Sequence, residues 1–324
     1  MNNLIKMAIK EKINRLNKIL SQCTLCPHKC RVNRISGEKG FCGAGKDLII
    51  STAMPHHGEE PPISGTGGSG TIFFSHCNMR CCYCQNYQIS QQHDGYILSP
   101  EALADKMVML RDCGVHNINL VSPTIWLPGI LGSLKIAMES GMDLPIVYNT
   151  GGYEDPAIIK MLEGTIDIYM PDMRYSDSRM GKKYSAVDYY VRYNRESIVE
   201  MFRQTGPLKL DEGGNARKGL LIRLLVMPGD ISGIKDTLDF IKEKISLRVY
   251  LSIMAQYHPA HNARDYPGLT RRITAGEYRD VLEYAASLGF KHGWTQDHEG
   301  LDPDKDYFIP DFDDKDVFRY YRDR

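Results

Sequence analysis

The sequence has no stretch of 18 apolar residues, so nothing in it reads as a membrane-spanning helix. It has no net charge: lysine plus arginine and aspartate plus glutamate each number 40. A nucleic-acid binder should show a basic excess or stripe, and this balance argues against one. No internal repeat is visible beyond the strand–helix alternation described below. Met1–Leu20 does not read as a signal peptide, because lysines interrupt every apolar run. Without an export signal, nine cysteines point to a reducing cytoplasm in which thiols serve metals rather than disulfides. The remainder is ordinary for a soluble globular chain, 42% hydrophobic and 25% charged. At 324 residues there is room for one large α/β domain with an appendage, or for two domains.

The most informative stretch also lacks something. Cys77-Asn78-Met79-Arg80-Cys81-Cys82-Tyr83-Cys84 offers thiols at C-x3-C-x2-C spacing. It follows the β-favouring run Thr71-Ile72-Phe73-Phe74, so it reads as a loop at the end of a strand. An iron–sulfur cubane normally takes four thiolates. With Cys77, Cys81 and Cys84 alone, one iron would be left open to another ligand. A mis-spaced zinc loop is the main rival. Buried apolar thiols are disfavoured, since Asn78 and Arg80 do not belong in a core.

Ahead of this loop, Ile5, Ile9, Ile13, Leu16 and Leu20 mark one face of an amphipathic helix over 3–22. A second cysteine set follows, Cys23-x2-Cys26-x3-Cys30-x11-Cys42, in a segment broken by Pro27, Gly37, Gly40 and Gly43. Four thiols so close together suggest one metal site. Zinc, a second iron–sulfur cluster and no metal all stay open, since spacing alone does not separate them. Residues 51–70 are rich in Gly and Pro and read as an extended loop, with His56, His57, Glu59 and Glu60 in surface or packing roles.

From Thr71 onward, apolar runs at 71–75, 117–122, 145–149, 166–171, 220–227 and 248–254 alternate with helical segments at approximately 129–140, 155–163, 185–204, 232–244 and 275–288. A further helix opens at Ser99-Pro100-Glu101. This alternation predicts an α/β fold with a parallel sheet, a partial (β/α)6 TIM-like barrel with a small N-terminal cysteine-rich appendage. The expected organisation is 1–50 for the helix and four-cysteine segment, 51–300 for the barrel, and 301–324 for an aromatic, acidic tail packing on it. In such barrels the chemistry sits at the C-terminal strand ends. Polar or glycine residues do follow each run: the cysteine loop, Ser122-Pro123-Thr124, Asn149-Thr150-Gly151-Gly152, Pro171-Asp172-Met173-Arg174, Pro228-Gly229 after a strand carrying Arg223, and Gln256-Tyr257-His258-Pro259.

The three-cysteine spacing, with Tyr83 before the last cysteine, resembles the radical S-adenosylmethionine (SAM) superfamily. Within it, the chain resembles the activating enzymes of glycyl-radical enzymes, such as pyruvate formate-lyase activating enzyme. It is most similar to a branch with a four-cysteine N-terminal segment and a Gly-Glu-Glu-Pro-Pro-Ile-Ser run, here Gly58–Ser64. The resemblance runs from residue 23 to about 312. The family spacing selects Cys81 as a cluster ligand and leaves Cys82 a packed bystander. The resemblance implies a [4Fe-4S] cluster on Cys77, Cys81 and Cys84, with SAM on the open iron. It also implies SAM contacts from Tyr83, Asn149, Gly151, Gly152, Asp172, Arg174, Arg223 and His258. Ser122-Pro123-Thr124 stands where the activases have Gly-Gly-Glu, which receives the SAM amino group. Arg174 stands where they have lysine; it keeps the charge and suits a carboxylate bidentately.

The implied activity is reductive SAM cleavage to a 5′-deoxyadenosyl radical, which takes a hydrogen atom from a substrate. That substrate could be a glycine of a partner protein. A flavodoxin or ferredoxin would supply the electron, and an oxygen-labile cluster favours an anaerobic cell. The rival class is a non-enzymatic iron–sulfur or zinc protein that carries electrons or scaffolds a complex. Such a protein would need neither a barrel nor strand-end contacts to SAM.

Overall fold

The computed structural model describes residues 3–296 together with 310, 312 and 317, the side chains of residues 3–8 excepted. The strands are β1 (Leu48–His56), β2 (Ser69–Phe74), β3 (Tyr96–Leu98), β4 (Ile118–Val121), β5 (Ile146–Thr150), β6 (Ile168–Pro171), β7 (Lys209–Leu210), β8 (Ala216–Leu225), β9 (Tyr250–Met254) and β10 (Gly293–Thr295). They form a single sheet in the order β10-β9-β8-β6-β5-β4-β2-β1-β3, with β7 at the side of β8. From β2 to β10 along this order every pairing is parallel, while β1 and β3 join as antiparallel strands. The six apolar runs of the sequence are therefore β2, β4, β5, β6, β8 and β9, lying side by side in chain order. Among the described residues the order ends at β3 and β10 without closing, which is the partial barrel expected.

The helices are α1 (Asn3–Ile19), α2 (Pro61–Ser64), α3 (Tyr87–Ser90), α4 (Pro100–Asp112), α5 (Leu127–Glu139), α6 (Pro156–Met161), α7 (Ser178–Ser185), α8 (Tyr190–Thr205), α9 (Ile234–Lys244) and α10 (Ala275–Leu288). Proline in the first turn and a capping side chain, Ser99 or Asp155, start α4 and α6. Thr274 and Glu277 close a capping box at the start of α10. None of the described helices is long and apolar enough to cross a membrane.

Strand parity divides the interior in two. Ile72, Phe74, Ile118, Leu120, Ile146, Tyr148, Tyr169, Leu220, Ile222 and Leu224 point to one face and pack with the helices in the main core. Val147, Ile168, Met170 and Leu221 point to the other face, where Ile63 of α2 joins them in a small second core. Two residues beyond these, on the same inner face, come Asn149, Asp172 and Arg223. Parity alone thus carries a charged arginine out of an apolar strand and into the lumen.

The N-terminal segment is not a separate lobe. Leu16, Leu20, Cys23, Leu25 and Ala44 belong to the same core as the barrel helices. Arg34, 2% exposed, donates to the carbonyl oxygens of Gly45 and Ile125 and lies 5.4 Å from the Trp126 ring.

The structure differs from the sequence reading in two places. Residues 51–56 are strand, not loop: β1 starts at Leu48 and pairs with β2. Pro55 obscured it, and it is tolerated there because β3 covers only Leu48–Ile50 of β1. The helix expected over 185–204 is α8, which starts only at Tyr190 because Ala186 and Tyr189 adopt left-handed backbone angles (φ 54° and 55°), and the short α7 precedes it. Most of the tail from 301 lies outside the described residues; within it Phe312 meets the Phe73 ring edge-on at 5.7 Å, and Pro310 and Val317 are buried.

Candidate active site

The cysteine loop leaves β2 at Phe74 and turns at His76, which has φ 67°. Backbone bonds clamp it against the end of α7: Arg80 N donates to Ser185 O at 2.9 Å, and Cys82 N to Tyr184 O at 2.8 Å. Cys77, Cys81 and Cys84 line one cavity of about 100 Å³, together with Asn149, Asp172, Arg174 and Arg223. Cys82 does not line it; it is buried with the loop's backbone against α7.

Sulfur hydrogen bonds reach each cavity thiol. Met79 N donates to Cys77 Sγ at 3.4 Å, and Ser90 Oγ lies 3.3 Å from Cys84 Sγ. Ser185 Oγ donates to Cys81 Sγ at 3.0 Å and is itself 2.7 Å from Tyr175 OH, which is 2.6 Å from Tyr83 OH. With one proton per hydroxyl, the chain runs Tyr83 to Tyr175 to Ser185 to sulfur. Tyr83 is therefore a buried support of the loop as well as a lining residue of the neighbouring cavity. Burial pushes the Cys77 thiol up to about 12 and Cys84 up to about 11. Such thiols stay protonated until a metal's charge draws the proton off.

Asp172 organises the facing wall. Its Oδ2 accepts from Arg174 Nη2 at 2.5 Å and its Oδ1 from Arg223 Nε at 2.8 Å. Arg223 Nη2 donates to Asn149 Oδ1 at 2.8 Å, so the ends of β5, β6 and β8 share one network. Burial opposes the charge on Arg174, but Asp172 and the nearby thiol and phenol groups hold its pKa above the ordinary arginine value. A second cavity of about 210 Å³ adjoins the first, sharing Cys84, Asn149, Asp172, Arg174 and Arg223. His258 lines it, 3.2 Å from Arg272 through Nδ1.

The two glycines after β5 differ. Gly151 lines the cysteine cavity, and a Cβ there would meet Met79 Sδ at 2.8 Å. Gly152 has φ 79°, and the room left by its missing side chain is taken by Asp172 O and the Asn194 amide, which is protein rather than cavity. At Ser122-Pro123-Thr124, Ser122 lines the cavity with φ 58°, while Thr124 turns inward and donates to Glu154 Oε1 at 2.6 Å.

The second cysteine set lies against the loop. Arg80 Nη2 donates to Phe41 O at 2.7 Å, Phe41 stacks on His28 at 3.8 Å, and His28 Nε2 is 2.9 Å from Asn78 O. Burial raises the Cys26 pKa, and Cys42, Cys23 and Cys30 raise it further, so the four thiols are neighbours. Among the described residues no three His, Cys, Asp or Glu side chains converge at the spacing of a single ion. The residues fit a three-thiolate cluster with a charged wall opposite.

Sequence reasoning missed Glu59, Glu60 and Glu154. The first two stand in the Gly58–Ser64 run, where surface or packing roles are expected; they are buried beside Arg223. Glu154 is held by Thr124, Tyr148 and Thr150. No local signal marks it, because Thr124 comes from another strand end.

No family model matches the sequence. Among solved structures, a radical SAM methyltransferase from Sphaerobacter thermophilus is 14% identical, with 70% of this chain and 65% of that chain covered, at a TM-score of 0.46. HydG, a maturase of the [FeFe]-hydrogenase, is 10% identical, with 91% of this chain and 57% of that chain covered, at a TM-score of 0.49. The chain spans less than two-thirds of either, and likenesses this distant carry no argument about activity. The uncharacterized protein MJ0674 of Methanocaldococcus jannaschii is 31% identical over 284 residues, 85% of this chain and 77% of that protein. With identity sustained over that much of both chains, this protein belongs to the same family as MJ0674 of M. jannaschii.

Proposed function

We propose that the chain is a radical SAM enzyme. One observation carries the reading: Cys77, Cys81 and Cys84, and not Cys82, line a cavity whose opposite wall is Asn149, Asp172, Arg174 and Arg223. The three thiolates would hold a [4Fe-4S] cluster, and Arg174 and Arg223 carry charge suited to the SAM carboxylate. When bound, these groups supply reductive cleavage of SAM to a carbon radical. The protein's part is placement. Asp172 fixes both guanidinium planes, the α7 contacts hold the loop, and the inner-face residues keep the reaction away from bulk water.

The activase-like branch, with a glycine of a partner protein as substrate and a flavodoxin or ferredoxin as reductant, rests on the motif resemblance. A second metal at Cys23, Cys26, Cys30 and Cys42 rests on their proximity, since a metal would have to draw these thiols together. A cytoplasmic, anaerobic setting rests on cysteine usage.

One set of proteins tests the proposal. Reconstituted anaerobically with iron and sulfide, the parent should be brown and release 5′-deoxyadenosine when reduced with SAM. Alanine at Cys77, Cys81 or Cys84 should abolish both properties, and Cys82→Ala neither. The triple alanine variant should still hold about one metal site's content at the N-terminal cysteines. Loss of the cluster in Cys82→Ala with retention in Cys81→Ala would overturn the ligand assignment.

A further inference from the structure

The run Gly58–Ser64 forms the floor of the lumen. Its helix α2 drives Ile63, fully buried, against Val147, Ile168, Met170 and Leu221. Asn117 Nδ2 holds the Ile63 carbonyl oxygen at 2.7 Å. Anchored this way, the residues just before α2 turn into the barrel. Glu59 and Glu60 line a cavity of about 230 Å³ whose other walls include Ser252, Met254, Trp294 and Gln296. It shares Glu59, Arg223, Met254 and Gln256 with the lumen cavity of about 210 Å³, and so opens toward the cysteine loop.

Three buried carboxyl side chains, Glu59, Glu60 and Asp172, face two guanidinium groups, Arg174 and Arg223, and burial raises the pKa of Glu59 and Glu60 against the pull of Arg223. Asp172 takes a hydrogen bond from each arginine. Arg223 spends another on Asn149, and its Nη1 lies 3.9 Å from Glu59 Oε2. Glu60 is 8% exposed, and its Oε2 has no hydrogen-bond partner among the described residues. An unmatched acceptor of this kind is costly to bury. A cation with N–H donors would satisfy it and would also favour the ionised form of both glutamates, which burial opposes, whereas a carboxylate or phosphate would do neither. Trp294 and Met254 give the same cavity walls suited to an alkyl stem.

We propose that Glu59 and Glu60 receive the ammonium or guanidinium end of the substrate, so that the enzyme acts on an amine-bearing molecule. This rests on reading the adjoining cavity as the SAM site. It differs from the glycine-activase expectation, in which the reacting residue is uncharged. The amine end is gripped at the floor, and the alkyl stem runs along Met254 and Gln256 toward the cysteine loop.

The test is binding, with no turnover needed. Anaerobically reconstituted full-length protein is titrated with cadaverine, with N-acetyl-lysine methylamide and with its neutral near-isostere N-acetyl-norleucine methylamide. Calorimetry is the readout, alongside the fluorescence of Trp294. At least one cation should bind ten times or more tightly than the norleucine compound, and Glu60→Gln should remove that preference. Binding of the lysine compound alone identifies a peptide side chain, and binding of cadaverine alone a free amine. Should Glu60→Gln fail to fold, Glu59→Gln and the isostere comparison on the parent decide. Equal binding of lysine and norleucine compounds, or none of either cation at millimolar concentration, overturns the proposal. A SAM titration of the same sample separates the two readings. SAM binding without amine selectivity defeats only this inference, and amine selectivity without SAM binding defeats only the radical SAM reading.

Discussion

Glu154 has no ion-pair partner among the described residues, yet three hydroxyls converge on it, from Thr124, Tyr148 and Thr150. Burial raises its pKa from an ordinary 4.5 to about 7, despite those donors. The folded state therefore holds the proton more tightly than the unfolded chain. The stability this adds is complete below pH 4.5 and is lost as pH rises to about 7. A shift of this size is worth roughly 3 kcal/mol at 1.36 kcal/mol per pH unit. Glu154→Gln does not titrate, so the melting temperature of the parent relative to the variant should fall across that window. A difference constant with pH would show that Glu154 is ionised in the folded protein throughout. The consequence reaches the site, because Thr124 and Thr150 follow or end strands whose neighbours Ser122, Asn149 and Gly151 line the cysteine cavity.

At the scale of an element, α2 is four residues long and has almost no helical stability of its own. Its place depends on Ile63 filling the second core. Ile63→Ala removes three carbons from a fully buried position and should cost about 2–5 kcal/mol in urea unfolding. A cost below about 0.5 kcal/mol, the range of a surface change, would show that Ile63 does not hold the floor in place. The loop between β5 and α6 is set differently. There Gly152 allows the backbone to pass against Asp172 O and Asn194, and this aligns the ends of β5 and β6 that hold the arginine network.

For the whole molecule, the N-terminal segment and the barrel share a core, so they should unfold together. Trp126 sits at their junction, with Arg34 over its ring and its indole N–H donating to Ser75 O at 2.7 Å. In a Trp294→Phe variant, fluorescence reports this junction while far-UV circular dichroism reports the helices. Reconstituted protein should give coincident denaturant midpoints by the two probes. An earlier fluorescence transition would mean that the four-cysteine segment is a unit of its own. The shared core also gives the second cysteine set a mechanical route to the first, through Phe41, His28 and Arg80.

What the sequence determined by itself is what short-range pattern encodes. Strand–helix alternation specified the parallel sheet, because each element's hydrophobic period is a local property. The C-x3-C-x2-C loop and the polar residues after each run were legible for the same reason, and Asn149, Asp172, Arg174 and Arg223 do meet at one cavity. Tertiary structure decided everything that depends on two distant segments meeting. Glu59 and Glu60 look like surface charges in a Gly/Pro-rich run until Ile63 anchors that run inside the barrel. Glu154 acquires its raised pKa only through burial in the assembled interior, where Thr124 and Tyr148, from separate segments, donate to it and oppose the rise. The segment carrying Cys26 and Cys42 meets the three-cysteine loop through His28 and Phe41, which stack on each other and bond to Asn78 and Arg80. Burial and charge pairing are properties of the assembled interior, and a linear pattern has no term for them.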